Sequence, residues 1–202
     1  MRARVAIMYS GLTVELREVA LKNKPVSLLR SSPKGTVPIL IDSDKPVIDE
    51  SFDIMLWALK QNDPDNWLPN SEQQKEVLDL IKLNDEEFKI NLDHYKYANR
   101  FSGLPAEEYR TLGEDFLAIM EQRLKQNSFL FGESYSLADI AIFPFIRQFA
   151  HVDKPWFKQT PYTKLQQWLT YFLDSRLYSK SMKKYAVWSD EDETCLFGEN
   201  SH

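Results

Sequence analysis

The stretch S-P-K-G-T-V-P-I-L at residues 32–40 is followed by V-I-D-E-S at residues 47–51 and then directly by an apolar run. Residues 36–41 and 46–48 have the composition of short strands, and the turn-forming residues between them predict a hairpin. From Ser51 onward, apolar residues recur at helical spacing, so an amphipathic helix should follow the hairpin. This order of elements predicts a small α/β domain.

The same stretch contains two features suited to holding a peptide, which we call the clamp. If the Val37–Pro38 bond is cis, the N–H and C=O of Val37 turn outward, where an extended peptide can pair with them. At the helix entrance, unpaired N–H groups near Ser51 attract a carboxylate, and Glu50 can pair with an ammonium group. Together these features suit a tripeptide with a free amino-acid end, which describes glutathione, and Lys34 is a candidate for the carboxylate at its other end. Each feature alone is more often an ordinary trans proline or a serine cap, so the hypothesis depends on their order and spacing.

Two further patterns precede this stretch, and one follows it. Residues 1–10 form a helical stripe of apolar side chains that Gly11 should end. Residues 13–21 alternate apolar and polar side chains, which predicts a half-buried strand. Composition changes at residues 61–70, where prolines break any regular element, so the α/β domain is predicted to cover residues 1–62.

Beyond this boundary the sequence predicts an all-helical domain at residues 71–188. The predicted helices are at 72–100, 105–127, 137–150, 161–174 and 176–185. The last stretch, residues 189–202, is acidic and is predicted to be a loosely held tail.

Composition argues against several classes of function. The net charge is -5 and the pI is near 5.3, and the lysines and arginines are scattered, so no nucleic-acid surface is expected. Cys195 is the single cysteine, so neither an internal disulfide nor a structural zinc site is expected, which fits a reducing cytoplasm. No apolar run reaches 18 residues, so no membrane segment is expected.

Two motifs resemble those of the glutathione S-transferase family, in particular its bacterial, cytosolic members. P-K-G-T-V-P-I-L, V-I-D-E-S and the helix after them are similar to the thioredoxin-like N-terminal domain of that family. G-E-S-Y-S-L-A-D-I-A-I-F-P at residues 132–144 is similar to the signature of its helical domain, with Ser136 as N-cap and Asp139 at the third helical position. We interpret Ser136 and Asp139 as a structural capping box without a catalytic role. The likeness extends over nearly the whole chain.

The resemblance implies a thioredoxin-like domain followed by an all-α domain, in a protein that forms homodimers. It implies glutathione as one substrate, a small electrophile as the other, and no metal. The glutathione-binding residues that it implies are Val37, Pro38, Glu50, Ser51 and Lys34. For the second substrate, His94 and Tyr95 on the predicted helix 72–100 are candidates by their spacing, although aromatic residues at such spacing are usually core residues.

The chain departs from the family at its beginning. Family members start with a strand and a turn that bears Tyr, Ser or Cys, and only then reach the helix that residues 1–11 resemble. The thioredoxin-like domain is therefore expected to be incomplete, without its first strand, and the catalytic residue is unassigned. Because that strand lies mid-sheet in the family, its absence would leave a gap between the strands at 13–21 and 36–41. One hypothesis is that Met1 is an internal methionine of a longer natural product.

No other side chain in the sequence is a good candidate for the thiol-activating group. A free thiol has a pKa of about 8.5, so attack near neutrality needs a group that stabilises the thiolate. Tyr9 and Ser10 are better interpreted as core and turn residues, and Cys195 has acidic neighbours. Weak turnover is therefore expected. The alternatives are a non-catalytic protein-binding relative, like the stringent starvation proteins that resemble this fold, and a helical module for apolar ligands.

Overall fold

The computed structural model describes residues 1–43 and 45–198. In chain order the elements are α1 (Arg2–Tyr9), β1 (Thr13–Glu15), α2 (Val26–Ser31), α3 (Ser51–Gln61), α4 (Gln74–Leu83), α5 (Lys89–Lys96), α6 (Ala106–Gln126), α7 (Leu137–Val152), α8 (Lys154–Gln159), α9 (Thr163–Asp174), α10 (Arg176–Ser181) and β2 (Leu196–Gly198). A π-helical turn, Asn84–Phe88, joins α4 to α5, and a 3-10 turn, Ala98–Arg100, follows α5. The predicted turn at 42–45 and the predicted tail at 189–202 include residues 44 and 199–202, which lie outside the described residues.

The chain divides into two compact units, one formed by residues 1–65 with the segment from Arg176 onward, the other by Asn66–Ser175. The division after Asp65 falls within residues 61–70, where the composition changes. The structure differs from the predicted ranges near the end of the chain, because α10 and the segment after it belong to the first unit. The reason is that α10 packs against α1.

The core of the first unit lies between α1 and α3. Val5 and Ala6 of α1 and Ile54, Met55 and Ala58 of α3 are each at most 3 % exposed. Their spacing places them on one face of each helix, and these two faces pack together. Helix α1 ends before Gly11, whose φ of 64° lies in the left-handed region that favours glycine.

The sheet of the first unit is smaller than the sequence predicts. The strand expected at 13–21 is regular only over β1, and the expected hairpin is reduced to one antiparallel bridge between Leu40 and Ile48. Among the described residues, no strand pairing connects β1 to this bridge. A strand with an open edge offers unpaired N–H and C=O groups. In β1 these groups pair with a segment that the sequence does not predict as a strand.

The segment expected to be a loose tail supplies that partner strand. β2 pairs antiparallel with β1, with Thr13 opposite Gly198, and the Leu16 N–H continues the pairing by donating to the Cys195 carbonyl at 2.7 Å. Phe197 is 1 % exposed, and its ring centroid lies 5.7 Å from the guanidinium carbon of Arg4. Burial of this ring and the open edge of β1 explain why residues 196–198 are held in place.

In the second unit, α7 is the central helix. It contacts α4, α5, α8 and α9, and eleven of its sixteen residues are buried, so it is apolar nearly all round. Asp139 fixes its first turn: the carboxylate accepts the Ser136 N–H at 3.0 Å, the Leu130 N–H at 3.1 Å and the Trp168 indole N–H at 2.8 Å. Desolvation of this buried carboxylate outweighs these hydrogen bonds and raises the pKa of Asp139 to about 6.

Over residues 1–43 and 45–198, no helix is long and apolar enough to cross a bilayer. Within the same described ranges, no three His, Cys, Asp or Glu side chains are grouped so that they could hold a metal ion. Cys195 is a free thiol and is half-buried.

Candidate functional site

One antiparallel bridge aligns the two parts of the clamp. The Leu40 N–H donates to the Ile48 carbonyl at 2.8 Å, and the Ile48 N–H donates to the Leu40 carbonyl at 3.0 Å. In antiparallel register, two residues before Leu40 lie across from two residues after Ile48, which sets Pro38 opposite Glu50. The bend at residues 37–38 and the start of α3 therefore lie at the same end of this pair of segments.

The backbone at Val37 is open for pairing. The Val37–Pro38 bond is cis, and Val37 is 41 % exposed. Its N–H and C=O make no hydrogen bond with any residue of the described chain. An extended peptide could therefore pair with both groups, as an added strand does at a sheet edge.

The N-terminus of α3 is also open. Glu50 is the N-cap residue and provides no side-chain cap, and Ser51 is the first helical residue, so the serine-cap interpretation does not hold. Within the described residues, the N–H groups of Ser51, Phe52 and Asp53 have no hydrogen-bond acceptor. These N–H groups, at the positive end of the helix dipole, can receive a carboxylate.

An ionic cluster borders this helix start. Lys34 Nζ lies 2.8 Å from Glu50 Oε1 and 3.0 Å from Asp49 Oδ1, and Ser32 Oγ donates to Asp49 Oδ2 at 3.0 Å. The hydrogen bonds to Glu50 and Asp49 raise the pKa of Lys34, and those from Lys34 and Ser32 lower the pKa of Asp49. Two carboxylates share one ammonium, so the cluster retains one negative charge that can attract a further cation.

This cluster differs from the site predicted from the sequence in two residues, Lys34 and Asp49. Lys34, which was expected at the far end of a bound peptide, has its ammonium on Glu50, at the helix start. The hypothesis from the sequence includes Glu50 without Asp49, although Asp49 directly precedes Glu50 in V-I-D-E-S. The adjacency of two acidic residues was the available signal.

The two second-substrate candidates lie in the second unit and differ in their surroundings. The His94 ring stacks on Tyr109 with centroids 4.6 Å apart and contacts Phe101 at 4.1 Å, and its Nδ1 lies 2.8 Å from the Ile90 carbonyl. Tyr95 is 7 % exposed, and burial raises the pKa of its hydroxyl. Tyr95 is therefore a core residue of this unit, and His94 belongs to an aromatic cluster.

Of the alternative thiol-activating groups, Tyr9 is held in hydrogen bonds and Ser10 is buried. The Tyr9 hydroxyl donates to Asp63 Oδ1 at 3.0 Å and accepts the Asp65 N–H at 2.7 Å, and burial raises the pKa of this hydroxyl. Ser10 is 1 % exposed. Tyr9 thus ties α1 to the end of the first unit, which is a structural role.

Comparisons with known proteins identify both parts of the chain. The family model described as "Glutathione S-transferase, N-terminal domain" matches residues 1–61, and the one described as "Glutathione S-transferase, C-terminal domain" matches residues 106–170. Together the two matches cover more than half of the chain.

Individual proteins agree with these matches. Glutathione S-transferase U28 of Arabidopsis thaliana is 25 % identical over 156 residues, which is 76 % of this chain and 69 % of that protein. Glutathione S-transferase U19 of the same plant is 26 % identical over 198 residues, covering 90 % of this chain and 84 % of its own. A glutathione transferase structure from Pseudomonas putida superposes with a TM-score of 0.76 at 19 % identity, covering 90 % of this chain and 85 % of that one. This likeness confirms the predicted fold class, a thioredoxin-like domain followed by an all-α domain.

Proposed function

Because this chain belongs to the glutathione S-transferase family, we propose that it binds glutathione at the clamp and transfers it to small electrophiles. The Pseudomonas putida structure that shares its fold has one glutathione disulfide bound per subunit, which supports glutathione as the ligand. We extend the proposal to a homodimer located in the cytoplasm, as the family resemblance implies. Glutathione is a substrate here, and the proposal includes no metal.

The observation that carries the proposal is the alignment of Val37 with the start of α3 by the Leu40–Ile48 bridge. The cysteinyl backbone of glutathione would pair with the free N–H and C=O of Val37. Its amino-acid end would place the carboxylate on the open N–H groups of α3 and the ammonium against Glu50. The negative charge left over in the cluster with Asp49 favours that ammonium.

In the proposed reaction, the glutathione sulfur bonds to an electrophilic carbon while a leaving group, such as chloride, departs with its bonding electron pair. The thiol proton passes to solvent. Holding the two reactants together supplies rate through proximity. The Tyr9 hydroxyl is bound to Asp63 and Asp65, so we expect little additional stabilisation of the thiolate and slow turnover.

The second candidate is a protein-binding relative that retains the clamp without catalysis. The engaged Tyr9 hydroxyl and the burial of Ser10 are the observations that favour it, because neither side chain is placed to activate a thiol. The site residues Glu50 and Ser51 favour the first candidate, since a protein-binding module has no need of an open helix start beside a carboxylate.

Two measurements on the purified chain test the proposal. Calorimetric titration with glutathione should give saturable binding, and conjugation of chlorodinitrobenzene should give slow turnover above the uncatalysed rate. Absence of binding would overturn the proposal. Binding without turnover would favour the non-catalytic candidate, and fast turnover would show that a thiol-activating group is present among residues interpreted otherwise.

A further inference from the structure

The segment of residues 20–31 gives the first unit a surface that is both apolar and basic. The Asn23 N–H donates to the Ala20 carbonyl at 2.8 Å, which places Leu21 and Lys22 at the tip of a turn. Leu21 is 65 % exposed, and Lys22 beside it is exposed as well. An apolar side chain and a cation therefore project together from this turn.

Helix α2, which follows the turn, repeats this combination on its outward face. Leu28 is the buried residue of the helix, whereas Val26 and Leu29 are 62 % and 48 % exposed. Because successive residues of a helix are rotated by about 100°, Val26, Leu29 and Arg30 lie on the face opposite Leu28. The outward face of α2 therefore carries two large apolar side chains and one cation.

The charge of this surface opposes the charge of the whole chain. Residues 19–41 contain lysine and arginine but no aspartate or glutamate. Lys34 is paired with the carboxylates of the clamp, whereas Lys22, Lys24 and Arg30 form no ion pair within the part of the chain that the structure describes. These three cations leave the surface positive in a chain whose net charge is -5.

The size and composition of this surface decide between a protein and a lipid as its partner. It consists of three apolar and three cationic residues, which we call the basic apolar patch: Leu21, Lys22, Lys24, Val26, Leu29 and Arg30. A standard protein interface uses about 20–30 residues on each side and is depleted in lysine at its centre. A bilayer surface needs no matched shape, since apolar side chains enter the headgroup boundary while cations attract anionic headgroups. The patch therefore suits an anionic lipid surface better.

We propose that the basic apolar patch docks the protein reversibly on the surface of an anionic lipid bilayer. Its three apolar side chains enter the headgroup boundary, and its three cations pair with anionic headgroups. The rest of the chain lies on the surface without crossing it, in agreement with the absence of a bilayer-spanning helix in residues 1–43 and 45–198. The patch includes none of the clamp residues, so docking is a function beyond the proposed binding of glutathione.

Co-sedimentation of the full chain with vesicles tests the docking. Vesicles of phosphatidylcholine with about 30 mol % phosphatidylserine should bind the protein saturably at low salt, and binding should fall as salt screens the charges. Vesicles of phosphatidylcholine alone should bind it at least about tenfold more weakly. Because the chain as a whole is acidic, an anionic surface repels it unless this face is presented. No binding to the anionic vesicles, or equal binding to both kinds, would overturn the proposal.

Hydrogen exchange on the vesicles locates the docked surface. Amides of residues 20–31 should exchange more slowly in the presence of anionic vesicles, because they become covered by headgroups. The same protection should persist in saturating glutathione. Protection that falls only on other segments would overturn the assignment to this patch.

A charge variant and its control separate local from overall charge. Lys22→Gln combined with Arg30→Gln should weaken binding to the anionic vesicles about tenfold or more. Lys158→Gln combined with Lys164→Gln removes the same charge from exposed lysines of α8 and α9 and should weaken binding much less. Equal losses in the two double variants would show that overall charge controls binding, and the proposal would fail.

An apolar variant and its control test insertion. Val26→Ser should weaken vesicle binding about three- to fivefold, because the side chain leaves water on docking. Val187→Ser is the matched control, since Val187 is 57 % exposed in the same unit and lies outside the patch. Equal effects of the two changes would contradict insertion of the patch.

Two further outcomes would identify another occupant and so overturn the proposal. Poly-glutamate should not displace the protein from the vesicles, since it offers negative charge without an apolar phase. Displacement would indicate an acidic protein as the partner. Val26→Ser should also leave the oligomeric state unchanged in analytical ultracentrifugation, and dissociation of an oligomer would show that a second copy covers this face.

Discussion

Lys34 Nζ lies 2.8 Å from Glu50 Oε1, where the ammonium group of a ligand would have to be placed for Glu50 to bind it. The same ammonium contacts Asp49 Oδ1 at 3.0 Å. Glu50 is therefore already paired with a cation. Its ability to hold a second one depends on Asp49, because Asp49 shares the charge of Lys34. Mutation of Glu50 and of Asp49, one at a time, should therefore separate the contributions of these two carboxylates to ligand binding.

Glu50→Gln should weaken glutathione binding about three- to tenfold, because the exposed carboxylate is the proposed partner of the ligand ammonium. Ser136→Ala should leave binding unchanged and lower the free energy of unfolding by about 0.5–2 kcal/mol, as a lost helix cap does. Calorimetric titration and urea unfolding of both variants make the comparison. Equal losses of binding would contradict the placement of the ligand at the start of α3.

Asp49→Asn should weaken glutathione binding about two- to fivefold, because Lys34 then neutralises Glu50 and no negative charge remains for the ligand. Asp42→Asn is the matched control, since Asp42 also pairs with an exposed lysine, Lys45, at 2.7 Å. Titrations at low and high salt should show the difference between the two variants shrinking as salt screens these charges. A similar affinity in both variants would argue that the cluster charge has no part in binding.

Gly198→Ala should disrupt the pairing of β2 with β1. A Cβ at Gly198 would lie 1.9 Å from the Leu12 carbonyl oxygen, and the φ of 138° disfavours any other residue. We expect a loss of about 1–3 kcal/mol in the free energy of unfolding, together with faster hydrogen exchange at residues 13–16.

The loss at Gly198 combines the backbone strain of a positive φ with the steric clash against Leu12, and Gly132→Ala separates these two causes. Gly132 also has a positive φ, of 156°, but a Cβ there would meet nothing within 4 Å. This variant should therefore show the backbone cost alone and normal exchange at residues 13–16. Equal destabilisation by the two changes would show that the close approach to Leu12 is unimportant.

Asp139 should make stability depend on pH in a definite direction. Its pKa is about 6 in the folded protein and about 3.9 in an unfolded chain, so the folded state binds the proton more tightly. Its contribution to stability is therefore fully present below about pH 4 and is lost as the pH rises through about 6.

The difference in unfolding free energy between the wild type and Asp139→Asn should accordingly fall between pH 4 and pH 7, by on the order of 1–3 kcal/mol. Urea unfolding at several pH values measures it, and the Asn variant removes the titration of this one group. A difference that stays constant, or grows with pH, would contradict the assigned direction.

Much of the fold follows from local pattern. The apolar spacing after Ser51 predicts α3, and the helical periodicity beyond residue 70 predicts the second unit, because each depends on neighbours a few residues away. The clamp residues are proposed in the same way, from V-P and E-S at a fixed separation. What local pattern could not give was the direction in which Lys34 turns, since an exposed, flexible side chain takes whichever carboxylates the folded backbone brings within reach.

The sequence by itself predicted most of the helices and the family, and it proposed the two ends of the clamp, because short-range periodicity and motif spacing encode them. Only the tertiary structure decided that β2 completes β1, that α10 joins the first unit and that Tyr95 is a core residue. These features arise from contacts between segments distant in the chain. Such contacts form where an open strand edge or an apolar face finds a partner, and no local pattern specifies which segment that will be.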